Sequence, residues 1–467
     1  MTSHRGCATH QERRVSPGAA RFTARPHPAI LPAAMPEPSV YVLIINWNGR
    51  EHLADCFDSL LAGTYRNCRF VLIDNNSGDD SIALVKERFS DPRIEILSLP
   101  ENLGWSGGNN RGIERALEDG ADYVFLLNND TATAPDAIER LVAAAESMPE
   151  CGALAPKMVL FDTPYLLNSI GIECSIIGSS WDIGVGRLDG PKWSTPRTVL
   201  GVCGGAMFLR AEALRAAGLL PDFQIYLDDL DLCLRIWNAG FKIWNCPEAL
   251  VRHKFSATMG EGKRLRQKYY LNTRNRMRLV LRNFPAAQMH RIIPKMLLGE
   301  AKSIGRGVLD GDYWKLPAHA KAWCASLVYL REAWRARRRH GASARFWDQI
   351  RDDMLFFPGV ELPERGWYET RIVHGEAVRP ISKAATMDWT GGHLRLTLIN
   401  CYPALGDAET EVFAGGQLIA ALCTEDRTVY DVTAPPGLLE FRAKRIFDAD
   451  ETGELSDFGG WLRVDPL

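Results

Sequence analysis

Short apolar runs alternate with amphipathic segments in the first third of the chain, after residue 39. Val40–Ile45 and Phe70–Ile73 are unbroken apolar runs, and Ile94–Leu97 and Tyr123–Leu127 are two further short strands. The segments between them carry apolar residues at helical spacing. Strands that are apolar throughout belong to sheets buried on both faces. The pattern therefore predicts an α/β fold with a doubly wound, mostly parallel sheet.

The pattern changes twice after this sheet. Residues 199–253 predict a strand, a helix, an acidic turn, a helix and a strand, and the sequence then becomes basic and helical up to Arg339. From about Pro358 it becomes β-like, with alternation in His393–Asn400 and a turn at Gly415-Gly416. We expect four parts: a disordered basic tail (1–37), an α/β domain (38–260), a basic helical segment (261–350) and a β-sandwich (358–467).

The N-terminal segment has an unusual composition. Residues 1–36 contain five Arg, five Pro and a single acid, Glu12. They lack the continuous apolar stretch of a secretory signal. We expect either a disordered tail or translation that begins at Met35. The Arg-rich, acid-poor composition keeps an organelle transit peptide as an alternative.

The overall composition is that of a globular protein. Of the 467 residues, 46% are hydrophobic and 24% are charged, and a chain of this length can bury a core large enough for an enzyme. A net charge of −2 argues against a general nucleic-acid binder. The eleven cysteines include no C-x-x-C pair, which indicates a reduced, cytoplasmic protein. No apolar run reaches the length of a membrane span.

The charge is distributed unevenly. Residues 251–350 contain 22 basic and 6 acidic residues, so the flanking parts are acidic. A basic segment between acidic flanks suggests an anionic partner, such as a membrane surface, for that segment. The alternative is a basic face that is merely solvated.

Polar clusters follow the strands at their carboxyl ends, the edge where doubly wound sheets bind ligands. Asp74 ends the second strand. Its carboxylate can accept the N3–H of a pyrimidine base, or it can form an Asx turn or cap the next helix. Asp130 follows Asn128 and Asn129 after a later strand. It can hold a divalent cation shared with phosphates, or it can belong to a turn.

A glycine- and asparagine-rich turn at Asn102–Gly112 is expected to open a helix. Backbone amides at a helix N-terminus can face an anion. The glycine spacing, however, matches neither a P-loop nor the dinucleotide-binding fingerprint. On its own this stretch is a weak signal.

The acidic stretch Tyr226–Arg235 is the most informative part of the sequence. Its three acids fall within four positions, and such carboxylates repel one another unless a cation or a proton occupies them. Asp231 is predicted to pair with Arg235 across one helix face. That leaves Asp228 and Asp229 as candidates for a general base. A solvated acidic helix start is the alternative.

In this order, the motifs resemble those of the inverting nucleotide-sugar glycosyltransferases of family 2, which have the GT-A fold. The similarity is greatest to a bacterial rhamnosyltransferase-like branch, and it covers roughly residues 40–285. It rests on Ile44–Gly49, Val71–Ser77, Asn102–Gly104 with Asn110 and Gly112, Leu127–Thr131, Gly204–Ala206, Tyr226–Leu232, Pro247–His253 and Tyr269–Arg276.

The resemblance implies roles for individual residues. Asp74 would bind a uracil or thymine ring. Asp130 and His253 would hold Mg²⁺ or Mn²⁺ against the donor diphosphate, although a lone histidine is more often structural. Asp229, beside Asp228, would deprotonate the acceptor hydroxyl. Asn128 departs from the family pattern, because it replaces the first acid of the Asp-x-Asp motif. The other residues assigned to the nucleotide sugar are Asn46, Trp47, Asn102, Gly104, Asn110, Asn128 and Asn129.

The implied activity is inverting transfer of rhamnose or another hexose from a UDP- or dTDP-sugar to a glycan or lipid-linked acceptor, in cell-surface polysaccharide synthesis. The basic helices would suit a lipid-diphosphate acceptor at the inner face of the cell membrane, so a cytoplasmic, peripheral location is expected. One alternative is a catalytically inactive scaffold that binds nucleotide sugars. Another is a nucleotidyltransferase, which would need more basic residues after the first strand than Arg50 alone.

Overall fold

The structure is a computed structural model that describes residues 37–467 except 163, 165, 186–188, 255–262, 310, 341–343, 352–370, 374–375, 382–383, 401–406, 426 and 445–460. The tail expected at residues 1–37 lies outside the described residues up to position 36. The start of the expected β-sandwich, from residue 358 to residue 370, lies outside them as well.

The α/β part of the chain begins at Val40. Its strands are β1 (Val40–Asn46), β2 (Cys68–Asp74), β3 (Ile94–Ser98), β4 (Tyr123–Asn128), β5 (Thr131–Thr133), β6 (Cys151–Leu160), β7 (Leu167–Ser169), β8 (Ile172–Cys174), β9 (Ser180–Asp182), β10 (Ala206–Arg210) and β11 (Lys242–His253). Its helices are α1 (Arg50–Leu61), α2 (Ser81–Arg88), α3 (Gly104–Glu118), α4 (Ala137–Ser147), α5 (Ala211–Ala217) and α6 (Asp228–Asn238).

The main sheet has the strand order β3-β2-β1-β4-β10-β6-β11-β5, and β7 pairs with β6. The strands β3, β2, β1 and β4 are mutually parallel, as is the β6–β11 pair. Strand β10 runs antiparallel between β4 and β6. The α/β fold with a doubly wound sheet is therefore confirmed, and the sheet is mixed: the antiparallel strand β10 joins two parallel groups, and β5 and β7 pair antiparallel with β11 and β6.

Both faces of the sheet are covered. Alternate residues of β1 belong to different hydrophobic clusters: Leu43 packs with Val71 and Leu126 in one, whereas Ile44 packs with Leu72 in the other. A strand that buries both faces needs apolar residues at successive positions. This explains why the runs are unbroken rather than alternating.

The glycine-rich stretch is not the turn that we expected, because α3 already begins at Gly104. A Cβ atom at Gly112 would lie 2.5 Å from Cδ1 of Ile73 and 2.9 Å from Cδ1 of Leu43. These glycines therefore allow the helix to pack closely against the sheet. The last strand predicted within residues 199–253 is β11, which extends over twelve residues to His253.

The basic segment is helical, as expected. It contains α7 (Lys263–Asn283), α8 (Met289–Leu309), α9 (Lys315–Val328) and α10 (Leu330–His340). Within the described residues, none of the helices is both long enough and apolar enough to cross a membrane. A buried polar network joins three of these helices: Tyr269 Oη lies 2.7 Å from His319 Nε2, His319 Nδ1 contacts Glu300, and Glu300 pairs with Arg276.

The C-terminal part is a β-sandwich. One antiparallel sheet has the order β12-β13-β20-β15-β18 and the other has the order β14-β19-β16-β17. Residues of both sheets share one hydrophobic cluster, which includes Trp389 and Trp461. The strands are β12 (Arg371–Val373), β13 (Glu376–Pro380), β14 (Ala384–Trp389), β15 (Gly392–Ile399), β16 (Ala408–Ala414), β17 (Gln417–Thr424), β18 (Arg427–Ala434), β19 (Gly437–Ala443) and β20 (Trp461–Pro466).

Candidate active site

Three neighbouring strands end together at the carboxyl edge of the sheet. In the register of the parallel pairs, Asn46 lies opposite Asp74, and Ile45 lies opposite Asn128. Residues that are far apart in sequence are therefore adjacent in space, as the strand-end clusters predicted. The edge carries one carboxylate and two carboxamides from three different strands.

Asp74 is buried at this edge, and only one of its two carboxylate oxygens has a hydrogen-bond partner among the described residues. Its Oδ2 atom accepts a hydrogen bond from the backbone N–H of Ser77 at 3.3 Å, which is the contact of the alternative Asx turn. Its Oδ1 atom is buried and has no hydrogen-bond partner among the described residues. A buried carboxylate oxygen without a donor is costly unless a ligand supplies one. Asp74 can therefore accept a hydrogen bond from a bound base.

The amide of Asn46 joins the loops around Asp74. It donates to Oγ of Ser77 at 3.1 Å and accepts from Nδ2 of Asn129 at 2.6 Å. Both polar ends of Asn46 are thus occupied by protein. The neighbouring Trp47 is 56% exposed, so its ring is open to solvent.

The Asn102 and Gly104 segment is fixed by one amide. Nδ2 of Asn75 donates to the side chain of Asn102 and to the carbonyl of Gly104, each at 3.0 Å. Asn110 forms a two-way bond with the backbone of Leu220, at 3.0 and 2.9 Å. In these contacts Asn102, Gly104 and Asn110 stabilise the loops at this edge of the sheet through hydrogen bonds to Asn75 and Leu220. A direct contact with a nucleotide sugar stays a prediction.

Asp130 and His253 lie side by side. Nε2 of His253 is 3.3 Å from Oδ1 of Asp130, and this oxygen is buried without a hydrogen-bond partner among the described residues. On the other side of the ring, Nδ1 of His253 lies 2.7 Å from Oδ1 of Asn168. In the neutral tautomer whose Nδ1–H donates to Asn168, the Nε2 lone pair of His253 points at the Asp130 carboxylate.

A carboxylate and an imidazole facing each other fit a divalent cation of the Mn²⁺ type. No cluster of three or more His, Cys, Asp or Glu side chains suited to a metal occurs in the described part of the chain. Asp130 and His253 are the two facing side chains that could hold such a cation.

Trp105 connects the loop that carries Asp130 to the first turn of helix α6. Its Nε1 atom donates to Oδ1 of Asn128 at 3.0 Å. A Cβ atom at Gly204 would lie 2.9 Å from the Trp105 ring and 3.3 Å from Oδ2 of Asp229. Gly204 also donates its N–H to that oxygen at 2.9 Å. A continuous line of contacts therefore runs from the Asn128 loop to Asp229.

The acidic residues form the first turn of α6. Oδ1 of Asp229 accepts from the N–H of Leu230 at 2.7 Å, and Oδ2 of Asp228 accepts from Oγ of Ser106 at 2.5 Å. Burial raises the pKa of both carboxyl groups, and the charge of Asp228 raises the pKa of Asp229 further. A carboxylate with a raised pKa is a stronger base at neutral pH.

Asp231 has a different environment, and its predicted pairing with Arg235 is confirmed. Nε of Arg235 lies 2.8 Å from Oδ1 of Asp231, and Arg282 and Asn283 bind its Oδ2 atom at 2.8 and 2.6 Å. Although burial alone would raise the pKa of Asp231, the two guanidinium groups hold it below its usual range. Asp231 is thus a buried ion-pair residue and not a second base.

The loop before α6 is strained. Gln224, Tyr226 and Leu227 have positive φ angles, which are uncommon for residues other than glycine. The side-chain amide of Asn275 donates to the carbonyls of Ile225 and Tyr226, at 2.8 and 3.0 Å. Helix α7 therefore holds the loop that positions the two acids.

Sequence reasoning missed several residues that shape this site. Trp105, Ser106 and Asn275 lie in segments that we had singled out, but their contacts are made with distant strands and loops. Asn168 and Asp182 lie in no motif. Burial raises the pKa of Asp182, and the charge of Asp182 raises the pKa of Asp229. No local signal could have identified either residue.

Two family models match this chain. The model described as glycosyl transferase family 2 matches residues 41–173, and the model described as glycosyl transferase family group 2 matches residues 123–360, about half of the chain. Together they include all the strand-end and helix residues described above.

Individual relatives are similar at low identity. The putative glycosyltransferase EpsE of Bacillus subtilis is 25% identical over 224 residues, which cover 46% of this chain and 72% of EpsE. The N-acetylglucosaminyl-diphospho-decaprenol L-rhamnosyltransferase of Mycobacterium tuberculosis is 26% identical over 243 residues, 47% of this chain and 77% of that protein. Among solved structures, GalNAc-T7 with UDP, GalNAc and Mn²⁺ has a TM-score of 0.47 at 14% identity and covers 74% of this chain and 62% of its own. On the family matches, this chain is a glycosyltransferase and belongs to the family 2 group.

Proposed function

We propose that this enzyme transfers a hexose, such as rhamnose, from a UDP- or dTDP-sugar to the hydroxyl of a glycan or lipid-linked acceptor, with inversion at the anomeric carbon. The observation that carries the proposal is a set of contacts along one edge of the sheet. They run from the Asp74 turn through Asn46 to Asn129, which precedes Asp130, and from Asn128 through Trp105 and Gly204 to Asp229. Each of these carboxylates has a separate task in the proposed reaction.

The donor is held by its base and its diphosphate. The unpartnered Oδ1 atom of Asp74 supports binding of a pyrimidine through its N3–H, and exposed Trp47 follows Asn46, which lies opposite Asp74 in the sheet. Asp130 and His253 would hold Mg²⁺ or Mn²⁺, and the bound cation would neutralise the charge that grows on the departing diphosphate. Asn168 would keep the imidazole of His253 oriented towards Asp130.

Asp229 is the proposed general base. Its carboxylate takes the proton of the acceptor hydroxyl as the oxygen attacks the anomeric carbon, and the bond to the diphosphate breaks on the opposite side of the sugar. The neighbouring charge of Asp228 makes Asp229 more basic. A positioned base of this kind typically contributes about 10²–10⁴-fold in rate.

The acceptor is proposed to be part of cell-surface polysaccharide synthesis. A diphosphate-linked lipid is supported by the name of the mycobacterial relative, which acts on such an acceptor. The basic segment 261–350 favours an anionic acceptor and a place at the inner face of the cell membrane. We also propose the division into an α/β domain (38–260), this segment and an accessory β-sandwich (358–467).

The test separates donor binding from transfer. The full chain is mixed with UDP-, dTDP- and GDP-sugars with and without Mn²⁺, and its melting temperature is recorded, since a ligand of the native state raises it. We expect a rise with a UDP- or dTDP-sugar and Mn²⁺. Asp74→Ala should lose this rise, whereas Asp229→Asn should keep it and lose about 10²–10⁴-fold in transfer to a diphosphate-linked lipid or glycan.

Asp80→Ala is the matched control, because Asp80 lies in the same loop as Asp74 but forms a surface pair with Arg50. It should behave as the unaltered chain. A melting-temperature rise with GDP-sugars alone would contradict the assignment of Asp74. Donor binding without transfer to any acceptor tried would favour the inactive scaffold.

A further inference from the structure

Exposed hydrophobic side chains are concentrated in one part of the molecule. Among the described residues, sixteen large hydrophobic side chains are exposed, and eleven of them lie between residues 293 and 334. Leu309 and Val328 are each 84% exposed. Soluble surfaces seldom expose so many neighbouring apolar side chains without a use for them. The eleven are Ile293, Leu297, Leu298, Val308, Leu309, Tyr313, Leu316, Leu327, Val328, Leu330 and Trp334.

The exposed side of α8 is apolar almost throughout. At 3.6 residues per turn, Ile293, Leu297, Ala301 and Val308 fall on one side of the helix, with Leu298 and Leu309 beside them. The opposite side, which includes Ile292 and Met296, is buried. An amphipathic helix usually has one apolar side, which packs on the core. Helix α8 has apolar residues both on its buried side and on its exposed side.

Helix α9 repeats this arrangement. Leu316, Ala320, Cys324 and Leu327 lie on one exposed side, and Val328 follows at its end. Its buried residues, which include His319 and Ala322, occupy other positions of the wheel. We call the exposed apolar sides of α8 and α9 together the apolar face.

Cationic residues border the apolar face. Lys302 and Arg306 lie at one edge of it on α8, between the exposed apolar side chains and the buried side of the helix. On α10, the guanidinium of Arg338 stacks on the exposed ring of Trp334 at 4.4 Å. From residue 289 to residue 339 the sequence has eleven Lys and Arg against four Asp and Glu.

We propose that the apolar face docks onto a membrane surface that contains anionic lipids. Leu, Ile and Val side chains would enter the boundary between head groups and acyl chains, while the bordering Lys and Arg side chains would reach the lipid phosphates. The charge at the edge of the apolar face favours a membrane over a second copy of the chain. A second copy would place its own Lys and Arg side chains against those of the first, whereas an anionic bilayer would neutralise them. Because the other side of α8 is buried in protein, the helix lies along the membrane.

The test is sedimentation of the full chain with vesicles of phosphatidylcholine alone or mixed with phosphatidylglycerol. We expect binding to the mixed vesicles that weakens as salt is added, because the electrostatic part is screened. The double variant Leu297→Asn with Val328→Asn should bind about tenfold more weakly or worse. Leu438→Asn is the matched control, since Leu438 is as exposed as Leu297 but belongs to the β-sandwich.

Melting temperatures of the variants should equal that of the unaltered chain, because the replaced side chains are exposed. Equal binding to both kinds of vesicle, no binding, or equal losses in the double variant and the control would overturn the proposal. So would a concentration-dependent dimer that the double variant abolishes. This surface deepens the membrane location proposed above. The assay involves no sugar transfer, so the transferase activity and the docking surface can fail independently.

Discussion

The indole nitrogen of Trp105 donates a hydrogen bond to Oδ1 of Asn128 across 3.0 Å, and this bond ties the first turn of α3 to the loop that carries Asp130. The same ring lies against Gly204, which donates its N–H to Asp229. Position 128 is therefore a structural junction as well as the place where the family motif has an acid. A carboxamide provides the acceptor that Trp105 needs without adding charge.

Restoring the acid should strengthen cation binding. An aspartate at position 128 can still accept from Trp105, and it adds a negative charge close to Asp130. We expect Asn128→Asp to lower the Mn²⁺ concentration for half-maximal transfer about three- to tenfold, since affinity follows the charge of the ligand set. Asn128→Ala, which removes the acceptor and adds no charge, should show no such gain. An unchanged or increased Mn²⁺ requirement in Asn128→Asp would contradict the placement of the cation.

Asn168 should act on the cation through His253. Its side-chain oxygen lies 2.7 Å from Nδ1 of His253, so Asn168→Ala frees the imidazole to rotate. We expect the Mn²⁺ requirement of transfer to rise about 10–100-fold, the usual cost of losing such a partner. The measurement is a Mn²⁺ titration of transfer at fixed donor concentration.

Asn245→Ala controls for the loss of a buried amide, since Asn245 lies on the same strand as His253 and binds the N–H of Arg197. It should leave the Mn²⁺ requirement unchanged. If Asn168→Ala reduced the maximal rate at every Mn²⁺ concentration without changing the requirement, Asn168 would have only a structural role.

The pH dependence of sugar transfer should reflect the ionisation of Asp228 and Asp229. The ionised form of Asp229 is the active base, and burial together with the charge of Asp228 raises its pKa. Transfer should therefore fall on acidification well above the ordinary aspartate pKa of about 3.9. Asp228→Asn removes the like charge, so the acidic limb of the kcat/KM profile should move to lower pH even if the rate falls. If the acidic limb of the kcat/KM profile lay at the same pH in Asp228→Asn, Asp228 would not affect the pKa of Asp229.

Asp231 should matter for stability. Its carboxylate is buried between Arg235 and Arg282, so Asp231→Ala leaves two guanidinium groups without their anion. We expect a loss of about 3–5 kcal/mol in the free energy of unfolding, measured by denaturant titration. Asp431→Ala, which breaks an exposed pair with Arg395, should have little effect.

The contribution of Asp231 also has a defined pH range. Its pKa is lowered in the folded state, so the stabilisation is present at neutral pH and is lost as the pH falls from the ordinary value through the depressed one. The difference in unfolding free energy between the unaltered chain and Asp231→Ala should shrink over that range. A difference that does not change with pH would mean that packing, and not charge, accounts for the loss.

The sequence predicted those features that depend on neighbours along the chain. The unbroken apolar runs of β1, β2 and β4 indicated a sheet buried on both faces, and the four-residue spacing of Asp231 and Arg235 indicated an ion pair. Both predictions are confirmed. The prediction of a turn at the glycines of α3 was wrong. The sequence alone does not distinguish a glycine required for close packing on Ile73 from a glycine required for a turn.

The tertiary structure alone decided how the candidate site is assembled. Asn168 meets His253 across 85 positions of sequence, and Ser106 meets Asp228 across 122. Such contacts arise when parallel strands and the helices between them bring distant loops to one edge of the sheet, and local patterning carries no record of them. The sequence by itself determined the fold class and the chemically active residue types. The pKa values of the acids and the orientation of the imidazole were decided by burial and by partners that only the folded chain provides.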